Sequence, residues 1–431
     1  MNAFPPTSPR PLCSTRPSAR RHAGRESLAP RKGNAMRHLL RQILLTVPLL
    51  LLAALATPAH AVTYTRAANL KWPMVTASVD YGDFNNDGRL DIAVCGLDST
   101  GNSRTTVYMN DGTGAGWSEM ASALTGVRSG CVRCADFNMD GWLDLLVMGM
   151  GNGNTAVGKL YLNTGGGGFT ESPAGIPALS SCSAAVADMD NDGDPDLVVM
   201  GLAADLSSTL RILHNDGGTF TTYGILPATA FGEVSLADVD RDGDQDILVT
   251  GAVFGAGETR VYLNNLDSTF GVRPNVLSVL YSAARFGDYD ADGWPDFAVS
   301  GSNMSAVRFS GLGQNTSGTG FAFSNFNQPR LDNASVDWAD ADNNGFLDLL
   351  MAGMGTFSDT TALLSYDGAN WGLGVLSALP QVALGSAVFG DIENDGDADI
   401  VVVGQGNGGA MRGSVWRSSG APANVQPGTP T

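Results

Sequence analysis

The stretch Asp288-Tyr289-Asp290-Ala291-Asp292-Gly293-Trp294-Pro295-Asp296 is one of seven copies of a nine-residue pattern, Asp-x-[Asp/Asn/Glu]-x-[Asp/Asn]-Gly-x-x-Asp. The other copies start at Asp83, Asp136, Asp188, Asp238, Asp340 and Asp391, and successive starts lie 53, 52, 50, 50, 52 and 51 residues apart. A period this constant marks a repeat architecture whose units are each too small to bury an apolar face alone. One period holds four short strands with their turns, and no helix-period segment of useful length stands out. The 55 glycines and the 16% share of charged residues suit many short strands joined by tight turns, so the predicted class is all-β.

Within each copy, oxygen-bearing side chains stand at positions 1, 3, 5 and 9, and a Gly at position 6 permits a sharp turn around one hard cation. The predicted side-chain ligands are Asp83, Asn85, Asp87 and Asp91; Asp136, Asn138, Asp140 and Asp144; Asp188, Asp190, Asp192 and Asp196; Asp238, Asp240, Asp242 and Asp246; Asp288, Asp290, Asp292 and Asp296; Asp340, Asp342, Asn344 and Asp348; and Asp391, Glu393, Asp395 and Asp399. Position 7 can add a backbone carbonyl, from Arg89, Trp142, Asp194, Asp244, Trp294, Phe346 and Asp397. Calcium suits such flexible multi-oxygen loops, whereas magnesium holds its waters and zinc wants His or Cys. An EF-hand is excluded, because its bidentate Glu at position 12 is replaced by Val94, Val147, Val199, Val249, Val299, Met351 and Val402. Each loop is therefore expected to end in a buried strand. A cation-free turn held by Asx hydrogen bonds is the alternative for any one loop.

With an apolar residue and a Gly ahead of the first Asp and a β-branched strand ending in Gly behind the last, as in Phe286-Gly287-Asp288 through Gly301, the chain resembles the FG-GAP or VCBS repeat β-propellers. That family includes the integrin α-chain head and some seven-bladed fungal lectins. The resemblance runs over roughly residues 62–420. It implies a seven-bladed β-propeller of four-stranded blades with up to seven calcium ions. Asn344 at position 5 departs most from the family pattern, which ranks the sixth loop as the weakest binder, and Glu393 is longer than the usual Asp.

The net charge of −18 conceals an asymmetry, since residues 1–61 hold nine Lys or Arg against one acid and the remainder carries −26. Twenty-eight of the 42 acids in that remainder lie in the seven motifs, a density that bound cations would relieve. The same field opposes nucleic acid and anionic membrane as partners. Met36–Ala61 reads as a secretory signal, with Arg37 and Arg41 before an apolar run from Ile43 to Ala56 and a small-residue cleavage site at Ala59-His60-Ala61. Pro48 and the shortness of the run argue against a membrane span, so no membrane insertion is expected. Residues 1–35 form a leader ahead of the expected start at Met36, the repeats occupy 62–417, and 418–431 read as a disordered tail. The expected location is secreted or periplasmic, where extracellular calcium is abundant.

Around the motif the repeat continues in register. A small residue precedes the first Asp, an apolar one stands two before it, and a mixed set stands three before it: Asp80, Arg133, Ala185, Ser235, Arg285, Asp337 and Val388. This last row is expected to line a wet channel, with ion pairs Asp80–Arg133 and Arg285–Asp337 between neighbouring blades. Aromatics open an outer strand at Trp117, Phe169, Phe220, Phe270, Phe321 and Trp371, but the seventh repeat lacks one. Tyr64, 19 residues before Asp83, fills that slot, so the N-terminal strand is predicted to complete the last blade and close the ring. Cys131 and Cys134 are separated by two residues on a predicted strand, which disfavours a redox pair or zinc knuckle. Together with Cys95 and Cys182 they read as buried free thiols or a cross-blade disulfide.

The expected function is that of a secreted, monomeric, calcium-dependent binding or adhesion module for an extracellular protein or glycan. Its contact face lies opposite the calcium loops and carries Trp72, Arg128, Phe231, Tyr281 and Arg330. A glycan-binding lectin is the alternative. A polysaccharide-active enzyme ranks third and an enzyme is not expected: the repeats contain one His, His214, no nucleophile motif, and acids already committed to metal. Trp142, Trp294 and Phe346 at position 7 are expected to shield the loops.

Overall fold

The structure, a computed structural model, describes residues 62–419 apart from 114–115, 121, 166–167, 228, 254–255, 274–276, 327–328 and 375–377. The predicted leader, signal segment and residues 420–431 of the predicted tail lie outside the described residues. The described residues form twenty-eight strands and no helix. In every repeat the nine-residue motif is the loop between two antiparallel strands. One strand ends at the residue before the first Asp (Gly82, Ala135, Ala187, Ala237, Gly287, Ala339, Gly390) and the next begins at the ninth-position Asp.

Each motif opens an antiparallel four-strand meander, as in Ser180–Ala187, Asp196–Leu202, Ser208–Asp216 and Thr219–Leu226. The first two meanders are joined into one eight-stranded sheet by a single pair, Arg104 with Val127. In the last sheet, Val382–Gly390, Asp399–Gly406 and Met411–Ser419 are followed by the N-terminal strand Thr63–Asn69, which runs antiparallel to Met411–Ser419. Tyr64 pairs there with Ser418, in the register in which Asn110 meets Trp117 and Asn215 meets Phe220. The predicted tail is corrected at its start: Ser418 and Ser419 belong to a strand, because the Ser418 N–H is needed by Asp399 Oδ1 at 2.8 Å. The fold is all-β and propeller-like.

The second strand of each meander is buried along both faces, as the unbroken apolar runs after each motif require. Its alternating side chains feed two different cores. Ile92 and Val94 pack with Val401, Val403 and Val415 of the last sheet, while Ala93 and Cys95 pack with Leu145, Val147 and Tyr161 of the next. The same alternation recurs at Leu197/Val199 against Val198/Met200 and at Leu350/Ala352 against Leu349/Met351. Cores therefore lie between sheets, and the apolar residue two before each motif, from Tyr81 to Phe389, joins them. The small residue before the motif has a local cause. A Cβ on Gly82 would meet Leu143 Cδ1 at 2.7 Å, one on Gly287 would meet Trp338 at 2.8 Å, and one on Gly390 would meet Tyr81 at 2.9 Å, all residues of the neighbouring sheet.

Apart from the Arg104–Val127 pair, first strands have one edge without a strand partner, and side chains of the preceding sheet satisfy several of its N–H groups. Asp80 Oδ2 accepts from Cys134 N at 2.9 Å, Glu233 from Ala284 N, Ser235 from Phe286 N, Ser335 from Ala387 N and Asp337 from Phe389 N at 2.8 Å. This explains why one predicted ion pair forms and the other does not. Arg285 pairs with Asp337, but Asp80 is occupied by backbone N–H groups, and Arg133 turns to the carbonyls of Ala184 and Val132 at 2.8 and 2.7 Å. Residues of the first strands line an open cavity of about 390 Å³, among them Asp80, Arg133, Glu233, Arg285 and Asp337. All four cysteines described are free thiols.

The N-terminal strand is bound by side-chain burial as well as pairing, since Tyr64 is 6% exposed, packs with Leu350, Ile400 and Trp416, and donates its hydroxyl to Ala398 O at 3.2 Å. Tyr64→Ala is expected to cost about 3–5 kcal/mol of unfolding free energy in urea denaturation, as for other buried aromatics truncated to Ala. A loss below about 1 kcal/mol would show that the strand contributes little.

Candidate cation-binding loops

Each loop is a turn wound around its own carboxylates. In six loops the first Asp accepts the N–H groups of positions 5 and 6, as Asp83 does from Asp87 and Gly88 at 3.0 and 2.7 Å, whereas in the fifth Asp288 accepts only that of Gly293, at 2.8 Å. Position 5 accepts the N–H of position 7, at 2.8–3.1 Å from Arg89, Trp142, Asp194, Asp244, Trp294, Phe346 and Asp397. The Gly at position 6 is required: φ is +83° at Gly88 and +98° at Gly193 and Gly243, a region that disfavours side chains. Position 4 is also left-handed, from Asn86 at +53° to Asn191 at +60°, and its frequent Asn reaches the next loop, as Asn86 Nδ2 does to Gly141 O at 3.0 Å.

The ninth Asp is the pivot. Asp91, Asp144, Asp196, Asp246, Asp296, Asp348 and Asp399 are all fully buried. One oxygen of each accepts an N–H from the third strand, contributed by Asn110, Asn163, Asn215, Asn264, Asn315, Tyr366 and Ser418. The five asparagines of that set were not among the predicted site residues. Their amides also bond the preceding sheet's loop, Asn110 to Ile392 O, Asn163 to Phe84 O and Asn215 to Phe137 O, each at 2.8 Å. Their signal in the sequence is an Asn 18 or 19 residues after the ninth Asp in five of seven repeats.

Residues 83–147, 136–199 and 238–299 match the model for the FG-GAP-like repeat. The chain carries FG-GAP-like repeats over these three stretches. No curated protein matches it. Among solved structures it is similar to the Aleuria aurantia lectin in complex with alpha-methyl-L-fucoside, at 12% identity over 70% of this chain and 96% of that one, with a TM-score of 0.43. A second structure of that lectin, described as six-bladed, covers 72% of this chain at 12% identity and TM-score 0.43. AofleA from Arthrobotrys oligospora, as a mutant, gives 9% identity over 73% of this chain and 88% of its own, with a TM-score of 0.44. Likeness this distant carries no functional argument.

The seven loops fall into two groups. In the third to sixth, three acidic oxygens converge to within 4.8 Å of one another: Asp188, Asp190 and Asp192; Asp238, Asp240 and Asp246; Asp288, Asp290 and Asp296; Asp340, Asp342 and Asp348. The sixth, ranked weakest on Asn344, thus assembles three buried acids, and Asn344 turns its amide to Tyr366 O at 2.7 Å. In the first and second, Asn85 and Asn138 donate to Asp87 and Asp140, and Arg89 also pairs with Asp87. In the seventh, Arg417 pairs with Glu393. Trp142, Trp294 and Phe346 lie against Gly165, Gly318 and Gly368 of the outer hairpins.

The residues fit a calcium ion. In the fifth loop Asp288 Oδ1 and Asp296 Oδ2 are buried without a hydrogen-bond partner, and in the fourth so is Asp240 Oδ1. Bare buried carboxylate oxygens gathered around one point are costly unless a cation meets them. Burial pushes the ninth-position carboxyls up, to about 6 at Asp91, Asp144 and Asp196, about 7 at Asp246, Asp348 and Asp399, and about 8 at Asp296; neighbouring loop carboxylates add to it. The loops can therefore accept either protons or a multivalent cation.

Of the five residues predicted on the opposite face, the structure brings together two. Phe231 and Tyr281, 43% and 49% exposed, meet edge to face at 5.9 Å. Trp72 is held by Tyr108 and Glu119 under the Arg104 guanidinium, and Arg128 by Ser103, Gly151 and Asn154. Arg330 is exposed and is not part of the aromatic pair.

A raised folded-state pKa means that the native chain retains protons which the unfolded chain, with carboxyls near 3.9, has released. Stability of the chelator-treated protein is thus full below about pH 4 and expected to fall as pH rises through about 6–8. Calcium should abolish that fall, so the gap in Tm between calcium and EDTA should widen from pH 5 to pH 8. A Tm in EDTA that is flat or rises over this range would contradict the assignment.

Proposed function

We propose that the chain is an exported, monomeric FG-GAP module whose seven sheets close into a seven-bladed propeller, hold up to seven calcium ions, and present the opposite face to a partner. The bare buried oxygens of Asp288 and Asp296 carry the calcium reading, because a divalent cation is the simplest species that satisfies both and the charge around them. Ring closure is supported by the core shared between the last sheet and the first, Val401 and Val403 with Ile92 and Val94, and by Tyr81 donating to Val388 O at 3.2 Å. No described helix is long and apolar enough to cross a membrane. Export follows from the signal-like segment.

The function read from this arrangement is binding or adhesion to an extracellular protein. Phe231 and Tyr281 are the exposed aromatic anchors of the face, and both sit at left-handed φ, +58° and +49°, Tyr281 within a bulge of its first strand. A glycan-binding reading is favoured by the same aromatic pair standing beside a cavity with the charged groups Glu233, Arg285 and Asp337, since sugars stack on rings and bond to such groups. Catalysis is not proposed.

A glycan and extracellular-protein array, probed with and without EDTA, tests this reading. Binding should require calcium, and Phe231→Ala with Tyr281→Ala should weaken it by at least about tenfold, roughly 1.4 kcal/mol, while Tm in calcium is unchanged. Hits competed by a monosaccharide would establish the lectin reading, and undiminished binding by the double variant would remove this face from the site.

A further inference from the structure

The third loop differs from the other six in one ligand-type residue. The residue before the third-strand Asn is Met109, Leu162, His214, Leu263 or Gln314 in the first five repeats, and its equivalents in the last two are Ser365 and Arg417. At this place in the register the side chain can reach the position-3 acid of its own loop. Gln314 donates to Asp290 at 2.8 Å, Arg417 pairs with Glu393, and His214 Nδ1 lies 2.9 Å from Asp190 Oδ2. Donor atoms of His214, Asp190 and Asp196 come within 4.8 Å of one another, and Asp190 also belongs to the Asp188–Asp192 set.

Two further observations set the imidazole apart from a simple hydrogen-bonding group. The ring is fixed in place by stacking on Tyr223, centroids 3.6 Å apart and planes 20° from parallel, and the Tyr223 hydroxyl is itself held by Ser268 N at 2.6 Å. Nε2 is buried with no hydrogen-bond partner. An oriented imidazole beside converging carboxylates offers a nitrogen ligand that oxygen-preferring calcium does not need, whereas borderline divalent ions such as zinc favour mixed His and Asp donors.

We infer that the third loop is a mixed nitrogen–oxygen site for a zinc-like divalent ion, built from His214, Asp190 and Asp196, within a set of otherwise calcium-type loops. The inference rests on the proposal that these loops hold cations. Asp190 is shared between the histidine set and the loop set, so occupancy by zinc should displace calcium from this loop alone.

The test is competition titration of the full chain with zinc chloride in millimolar calcium, followed by isothermal calorimetry and elemental analysis, with His214→Leu and His214→Gln alongside. Leucine occurs at the equivalent position in two repeats and glutamine in a third, so both variants should fold. Comparison with the variants cancels any zinc taken by His22, His38 and His60. The expected result is about one zinc ion per chain that both variants weaken by about tenfold or more, with calcium bound to the other loops unchanged. Cobalt substitution should give a visible absorption band that both variants lose. Calcium bound but no zinc, or zinc affinity equal in all three proteins, overturns this inference alone. Absence of calcium from every loop overturns the earlier proposal as well.

Discussion

The structure depends on a negative charge placed where water cannot reach it. In every repeat the ninth-position Asp begins the second strand, fully buried, with one oxygen committed to the third strand. In six repeats its other oxygen accepts the N–H of position 2, as Asp91 does from Phe84 at 3.1 Å; in the fifth, Asp296 Oδ2 is bare. The carboxylate is thus a nucleus around which three backbone segments are organised. An apolar residue there would leave those N–H groups without acceptors, which is why the acid is kept despite the cost of burying it.

From this nucleus the links between sheets follow. The Asn that gives its N–H to the ninth Asp gives its side-chain amide to the loop of the preceding sheet, and Ser, Asp and Glu side chains at the first strands of the first, third, fourth and sixth repeats satisfy N–H groups of the following one. Apolar residues alternate along the central strand and so divide between two cores. Each sheet is held by hydrogen bonds at its loop end and inner edge, and by packing on both faces. Cohesion of this kind is distributed over nearest neighbours, as in other repeat architectures.

On this common frame the individual loops are tuned by side chains outside the motif. Arg417 beside Glu393 and Arg89 beside Asp87 place internal positive charge where the other loops have none from that position, and His214 offers a nitrogen in the third. A resident guanidinium partly replaces the charge that a cation would contribute, so sites with similar motifs need not have similar affinity. Arg273, 3.8 Å from Asp240, approaches the fourth loop from a strand end in the same way.

The spacing of the motif determined the all-β class, the four-strand unit, the position of every loop at the turn between first and second strands, and the role of Tyr64 as the seventh outer-strand aromatic. These are local or periodic properties: a left-handed Gly, a run of β-branched residues and a constant interval are all written along the chain. Tertiary structure alone decided which charges meet. Asp80 looked like the partner of Arg133, but an unpaired backbone edge claimed it first; Trp72 and Arg128 looked like surface contacts, yet neighbouring strands hold them. The asparagines that tie sheet to sheet and His214 beside Asp190 lie some twenty residues from the loops they serve, and only strand pairing brings them there. Competition for a limited set of buried donors and acceptors is settled in three dimensions, and a period in sequence does not encode its outcome.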